Sequence, residues 1–220
     1  MWEPILLSLK VSGVATLCAL PLAIWVAYIL ARKRFRGHGL LNGLVHLPLV
    51  LPPVVTGYLL LVVFGRQGVL GAPLYDLFGI SLAFRWTGAA LAAAIMGFPL
   101  MVRAMRLGFE AVDVGLEDAA RTLGASKFRV FRTMTLPLAA PAILAGAVLG
   151  FAKALGEFGA TITFVAAIPG QTQTIPSAIY GLLQVPDQER GIVALVAVSI
   201  GLAMGALVAS EWLARRMVAR

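Results

Sequence analysis

The chain has 220 residues, 60% of them hydrophobic and 13% charged, with a mean hydropathy of +0.92 and a formal net charge of +8. A soluble domain of this length is about a quarter charged, so the composition excludes an ordinary globular protein and indicates one that crosses a membrane several times. The single cysteine, Cys18, excludes an intrachain disulfide and a cysteine-spaced metal site.

A bilayer core of about 30 Å needs about 20 helical residues. The charge-free run Val11–Ala31 is followed by RKRFR (32–36), a stop-transfer pattern and not a cleavage site, which places a first span near 8–31. Cys18 in this run reads as a small buried apolar residue. A second span, near 40–64, contains HLPLVLPPVVTGY. There Pro48, Pro52 and Pro53 each remove a backbone donor, which predicts a kink or partial unwinding. Three more spans fall near 86–108, 138–165 and 191–213. The connections 65–85 and 166–190 are rich in Gly and Pro and poor in charge. Within the latter, the apolar part of IPGQTQTIPSAIYGLLQVP (168–186) predicts a short helix lying at the membrane interface. The expected fold is an all-α polytopic membrane protein: one domain over 1–220 with about five spans and a polar loop over 109–137.

The bases orient this chain. Arg32, Lys33, Arg34 and Arg36 lie in one loop, Arg103, Arg106, Arg121, Lys127, Arg129 and Arg132 around the polar loop, and Arg215, Arg216 and Arg220 in the tail. These are thirteen of the 18 bases, and a five-span arrangement puts them all on one side. Lys10, Arg66, Arg85 and Arg190 fall on the other, and Lys153 inside the fourth span. The positive-inside rule therefore predicts an N-terminus outside and a C-terminus in the cytoplasm, with the polar loop on the cytoplasmic side.

That loop has the marks of a short helix over Val114–Leu123, about 15 Å long. Asp113 is placed to cap its start and Gly124 to end it. Glu117 and Asp118 fall in the first turn and Arg121 near the end, as the helix dipole favours. Leu116, Ala119, Ala120 and Leu123 share one face, and two alanines there permit close approach by another surface. No G-x-x-x-x-G-K-[ST] phosphate loop occurs in the chain, so ATP chemistry is not expected here.

The strings DAARTLG (118–124) and MTLP (134–137) resemble the EAA loop of ABC-importer permeases. Asp118, Ala119 and Ala120 stand for Glu-Ala-Ala, Gly124 for the motif glycine, and Met134 to Pro137 for Ile-x-Leu-Pro, so that Leu136 and Pro137 close the motif. Asp118 replaces Glu and Met134 replaces Ile; Glu117 keeps a longer acid one position earlier, so either acid suits the key contact. HLPLVLPPVVTGYLLL (46–61), FPLMVRAMR (98–106) and LGEFGATITFVAAIPGQTQTIPSAIY (155–180) are similar to segments of molybdate ABC transporter permeases. Sulfate/thiosulfate permeases carry a related Gly-Glu-Phe-Gly. The resemblance implies a type I importer permease core in the inner (cytoplasmic) membrane of a prokaryote, forming a pore with a second copy of itself. It further implies two cytoplasmic ATPase subunits that hold ATP and Mg, a periplasmic or lipoprotein oxyanion-binding protein, and no cofactor or metal on this chain. The 109–137 loop is then the coupling helix: Ala119 and Ala120 form its contact face, and Glu117, Asp118 and Arg121 its rim. Tungstate and sulfate remain open as cargo beside molybdate.

Lys153 and Glu157 form the one ionisable pair inside an expected span. A continuous helix puts them about 18 and 24 Å from Pro141, on one face and able to neutralise each other. They read either as a structural pair or as part of the anion path and its gate. For the second reading Gly156 and Gly159 supply close helix packing, and Thr161 and Thr163 supply hydroxyl donors. His46 reads as a structural or interfacial residue and His38, in the basic loop, as a solvated one; neither lies in an H-E-x-x-H pattern, which weighs against an intramembrane enzyme. A scaffold without transport would not need a docking loop of this form.

Overall fold

The computed structural model describes residues 2–218. Arg220 and the side chain of Arg215, counted above among the bases of the tail, lie outside the described residues. All regular structure among the described residues is helical. The elements are α1 (Trp2–Arg32), α2 (His38–Val50), α3 (Pro53–Phe64), α4 (Gly71–Phe78), α5 (Trp86–Ala111), α6 (Val114–Thr122) and α7 (Lys127–Val130). A π-turn (Phe131–Thr135) then leads into α8 (Leu136–Leu155), followed by α9 (Gly159–Val165), α10 (Ile175–Leu182) and α11 (Glu189–Val218). Four rods among the described residues are long and apolar enough to cross a membrane: α1, α5, Lys127–Leu155, and α11 as far as Leu213. Together, α2 and α3 make a fifth candidate bent by 113°.

The bend has a specific cause. Pro48 sits inside α2 without ending it. The chain breaks at Leu51 and Pro52, and Pro53 starts α3 at a position where no backbone donor is needed. The Lys127–Leu155 rod starts well before residue 138 and absorbs Leu136 and Pro137 into its length. A proline crowds the carbonyl four residues earlier. For Pro137 that residue is Thr133, in the middle of the wider π-turn that relieves the clash.

The expected continuous helix over 138–165 is not found. It ends at Leu155, and 159–165 forms a separate helix. The first turn of α9 exposes backbone donors, and the buried Glu157 answers one of them by accepting from Ala160 N at 3.0 Å. The helix expected at the membrane interface within 168–186 is α10, but Ile175, Ser177 and Ala178 are buried, with Ile5 of α1 and Leu195 of α11 in the same cluster. The Ile175 amide donates to Ser8 Oγ at 2.7 Å, so this helix is anchored in protein on one side.

The core is built on α5, which packs along α1 and α8. Ala89, Ala92 and Ala93 of α5 are fully buried. At Gly97 an added Cβ would lie 3.0 Å from Gly150 O of α8, so the two helices meet backbone to backbone. α3 and α9 meet similarly: a Cβ on Gly57 would lie 2.5 Å from Ala160 O. Near the other end Phe109 and Phe131 flank Tyr28, with ring centroids 5.6 and 4.9 Å away. Cys18 is exposed and not buried as expected. α1 turns Ala15, Ala19, Ala23 and Val26 to the core; on the remaining faces of a membrane span the solvent is hydrocarbon, so an apolar residue has no need of protein cover.

Candidate coupling helix and membrane charge pair

α6 follows from local chemistry. Asp113 accepts from Gly115 N at 2.8 Å and caps the first turn. Past the end, Gly124 takes φ +87°, which reverses the chain at no steric cost. The face expected to be a contact surface is open: Leu116 is 48% exposed and Leu123 90%, with Ala119 exposed beside them and Ala120 half-buried. Phe128, 72% exposed, adds an aromatic ring from α7.

The two acids point in different directions. Glu117 is 4% exposed. Its Oε1 accepts from Arg32 Nη2 at 3.2 Å and from Thr135 Oγ1 at 2.8 Å. Arg32 Nη2 also donates to Val112 O at 2.8 Å. One buried carboxylate therefore joins α6 to the end of α1 and to the π-turn that begins α8, and Arg32 extends the cluster to Val112 at the end of α5. Asp118 is on the rim, 62% exposed in its side chain, 3.1 Å from Arg121. Arg121 also lies 3.7 Å from Glu117. Sequence reasoning missed Arg32 and Thr135 as partners of the loop. Arg32 counted only as one of four loop bases, and Thr135 only as the variable position of the motif.

Lys153 and Glu157 do pair, at 2.5 Å. The pair bridges the break between α8 and α9 instead of lying on one helix. Glu157 is 2% exposed and is held from two sides, by Lys153 Nζ and by Ala160 N. Lys153 keeps 30% of its side chain exposed. The flanking residues divide. Gly159 packs against α3, where a Cβ would lie 2.7 Å from Pro53 Cβ. Gly156 is exposed at the end of α8 and supports no helix crossing. Both threonine hydroxyls donate to their own backbone: Thr161 to Glu157 O and Phe158 O, and Thr163 to Gly159 O at 2.9 Å. In apolar surroundings such back-bonding satisfies a hydroxyl, so these donors are already in use.

Beyond α9 the chain is clasped by Thr172, a residue that sequence reasoning did not single out. Its buried hydroxyl donates toward Val165 O and Ala166 O at 3.2 and 3.1 Å and accepts from Ile168 N at 2.9 Å. Ala166 there holds φ +58° and ψ −173°, a region nearly reserved for glycine. No group of three or more metal-ligating side chains occurs among the described residues.

The chain is 62% identical over 214 residues to the molybdenum transport system permease protein ModB of Escherichia coli (strain K12), spanning 97% of this chain and 93% of that protein. It is 57% identical over 211 residues to ModB of Haemophilus influenzae, spanning 96% and 92%. Among solved structures it is similar, with a TM-score of 0.73 and 18% identity, to a chain of a bacterial alginate ABC transporter in complex with an alginate pentasaccharide-bound periplasmic protein, covering 98% of this chain and 78% of that one. At that identity the likeness concerns the fold alone. Residues 19–219 match the model of the binding-protein-dependent transport system inner membrane components, and the chain belongs to that family.

Proposed function

We propose that this chain is the membrane subunit of an ATP-driven importer of molybdate, working as a pair of copies with two cytoplasmic ATPase subunits that bind ATP and Mg. A periplasmic or lipoprotein oxyanion-binding protein delivers the cargo, and this chain binds no cofactor. The observation that carries the cargo is the likeness, at 62% and 57% identity, to two molybdenum transport permeases over nearly the whole chain. The thirteen bases on one side favour an orientation with α6 and the C-terminus in the cytoplasm.

In this reading α6 is the input. Leu116, Ala119 and Leu123, with Ala120 partly covered, enter a groove on the ATPase, and Asp118 and Arg121 meet its rim. Glu117 stays inside the permease. A displacement of α6 reaches α1 through Arg32 and α8 through Thr135, because all three side chains share one buried hydrogen-bonded cluster. Leu136 and Pro137 sit at the start of the receiving rod, and Gly124 lets the chain return to it. At the other end of α8, Glu157 is a structural cap supported by Lys153. Lys153, partly open, is the one group of the candidate path set Lys153, Gly156, Glu157, Gly159, Thr161 and Thr163 suited to attract a dianion in transit.

The test is co-purification. The chain should bring down a soluble ATPase, and that complex should hydrolyse ATP faster with molybdate-loaded binding protein than with empty protein. A chain that binds no ATPase would overturn the proposal. Titration calorimetry of the binding protein with molybdate, tungstate and sulfate identifies the cargo, and sulfate binding without molybdate binding would reassign it.

A further inference from the structure

The crevice between α1, α2 and α5 has two chemically different parts. One is an apolar furrow of about 490 Å³, walled by Leu22 and Val26 of α1, Leu44 and Pro48 of α2, and Ile95 and Phe98 of α5. The other is a cavity of about 480 Å³ lined by Arg32, Lys33, Arg34, His38, Arg106 and Glu110. The same three helices bound both. Val26 and Leu30, which line one part each, are about 6 Å apart along α1, and Phe98 and Arg106 about 12 Å apart along α5, at 1.5 Å per residue. The furrow and the base-lined cavity therefore follow one another along α1 and α5, with two contacts between them: His38 Nε2 to Leu30 O at 3.0 Å, and Arg106 Nη1 donating to Asn42 Oδ1 at 3.3 Å.

The charges in the cavity do not cancel. Glu110, its acid, is taken by Arg106 at 2.7 Å. Arg32 is held by Glu117 and Val112 through Nη2, while its buried Nε has no hydrogen-bond partner among the described residues. Lys33 and Arg34 are exposed and have no ion-pair partner among the described residues. Such a site selects an anion, and the furrow beside it selects a chain of methylenes. We propose that this crevice binds an anionic phospholipid, with the phosphate headgroup among Arg32, Lys33 and Arg34 and an acyl chain along Val26, Leu44 and Phe98. Basic pockets between membrane helices hold anionic headgroups by the same physics. A second copy of this chain is the poorer occupant. Were this crevice to face its own counterpart across a two-fold axis normal to the membrane, the two 32–36 loops would meet at equal depth with like charge.

The test uses the full chain, in its complex with the ATPase, stripped of lipid in detergent. Native mass spectrometry then follows added phosphatidylglycerol, phosphatidylcholine or inorganic phosphate. The expected result is a retained phosphatidylglycerol adduct and none with phosphatidylcholine. The double variant Lys33→Ala/Arg34→Ala should weaken the adduct by about tenfold or more, and Leu44→Trp, which fills the furrow, should also weaken it. Equal adducts with both lipids, or adducts indifferent to both variants, would overturn the proposal. So would displacement by inorganic phosphate at the same concentration, which would make this a free-anion site. Loss of a protein dimer in Leu44→Trp, with no lipid adduct on the wild type, would assign the crevice to the second copy.

Discussion

Glu117 and Asp118 are neighbours in sequence and opposite in exposure, one buried and one on the rim. On an α-helix consecutive residues differ by about 100° in direction, so one of two adjacent acids can face inward while the other faces out. The sequence left the choice between them open because the deciding partner, Arg32, is 85 residues away. Removing one partner of a buried pair costs about 3–5 kcal/mol. Glu117→Ala should therefore lower the unfolding midpoint clearly, whereas Asp118→Asn should stay within about 0.5 kcal/mol of the parent. Chemical denaturation of the purified chain distinguishes them. Binding should show the reverse order, with Asp118→Asn weakening ATPase capture more than its effect on stability. A second residue-scale prediction concerns Lys153. The double variant Lys153→Met/Glu157→Gln, which leaves no unpaired buried charge, should lower molybdate uptake about tenfold or more, a barrier change of about 1.4 kcal/mol, with basal ATP hydrolysis unchanged. Unchanged uptake in proteoliposomes would remove Lys153 from the anion path.

At the scale of elements, α6 was the most legible part of the chain. Its cap, its stop and its small face are all local signals, and the helix runs from Val114 to Thr122 with Asp113 as cap. The break after Leu155 was not legible. Lys153 and Glu157 have helical spacing, and Gly156 alone does not oblige a helix to stop. What stops it is tertiary: Gly57 and Gly159 bring α3 and α9 together, and Glu157 caps the new helix. The bend between α2 and α3 lies between these extremes, since the prolines predicted it but did not say which of them would act. Two tests follow. Replacing Ala119 and Ala120 together by Trp should abolish ATPase capture in a pull-down while helicity by circular dichroism is retained. Gly57→Val, which drives a branched side chain into the Ala160 backbone, should destabilise the chain by about 1–3 kcal/mol, as overpacking does, and shift its thermal unfolding down.

At the scale of the whole molecule, the five expected spans compare with four rods and one bent pair, and hydropathy and charge were enough for the class, because the bilayer imposes length and apolarity on every crossing. They do not say which helix occupies the centre. α5 does so because Ala, Gly and Met let α1 and α8 approach it, while α11 leaves most of its apolar surface open. Orientation is testable through the lone cysteine. In a Cys18→Ser background, a cysteine placed at Leu123 should react with an impermeant thiol reagent from the cytoplasmic side only. Labelling in intact cells from outside would reverse the orientation. Transport is the most direct measurement of the proposed function. Proteoliposomes holding this chain and its ATPase, with molybdate-loaded binding protein outside and ATP inside, should accumulate molybdate. Accumulation should stop when ATP is omitted or when Ala119 and Ala120 are both Trp. No accumulation by an intact, ATP-hydrolysing complex, or accumulation that persists without ATP, would contradict it.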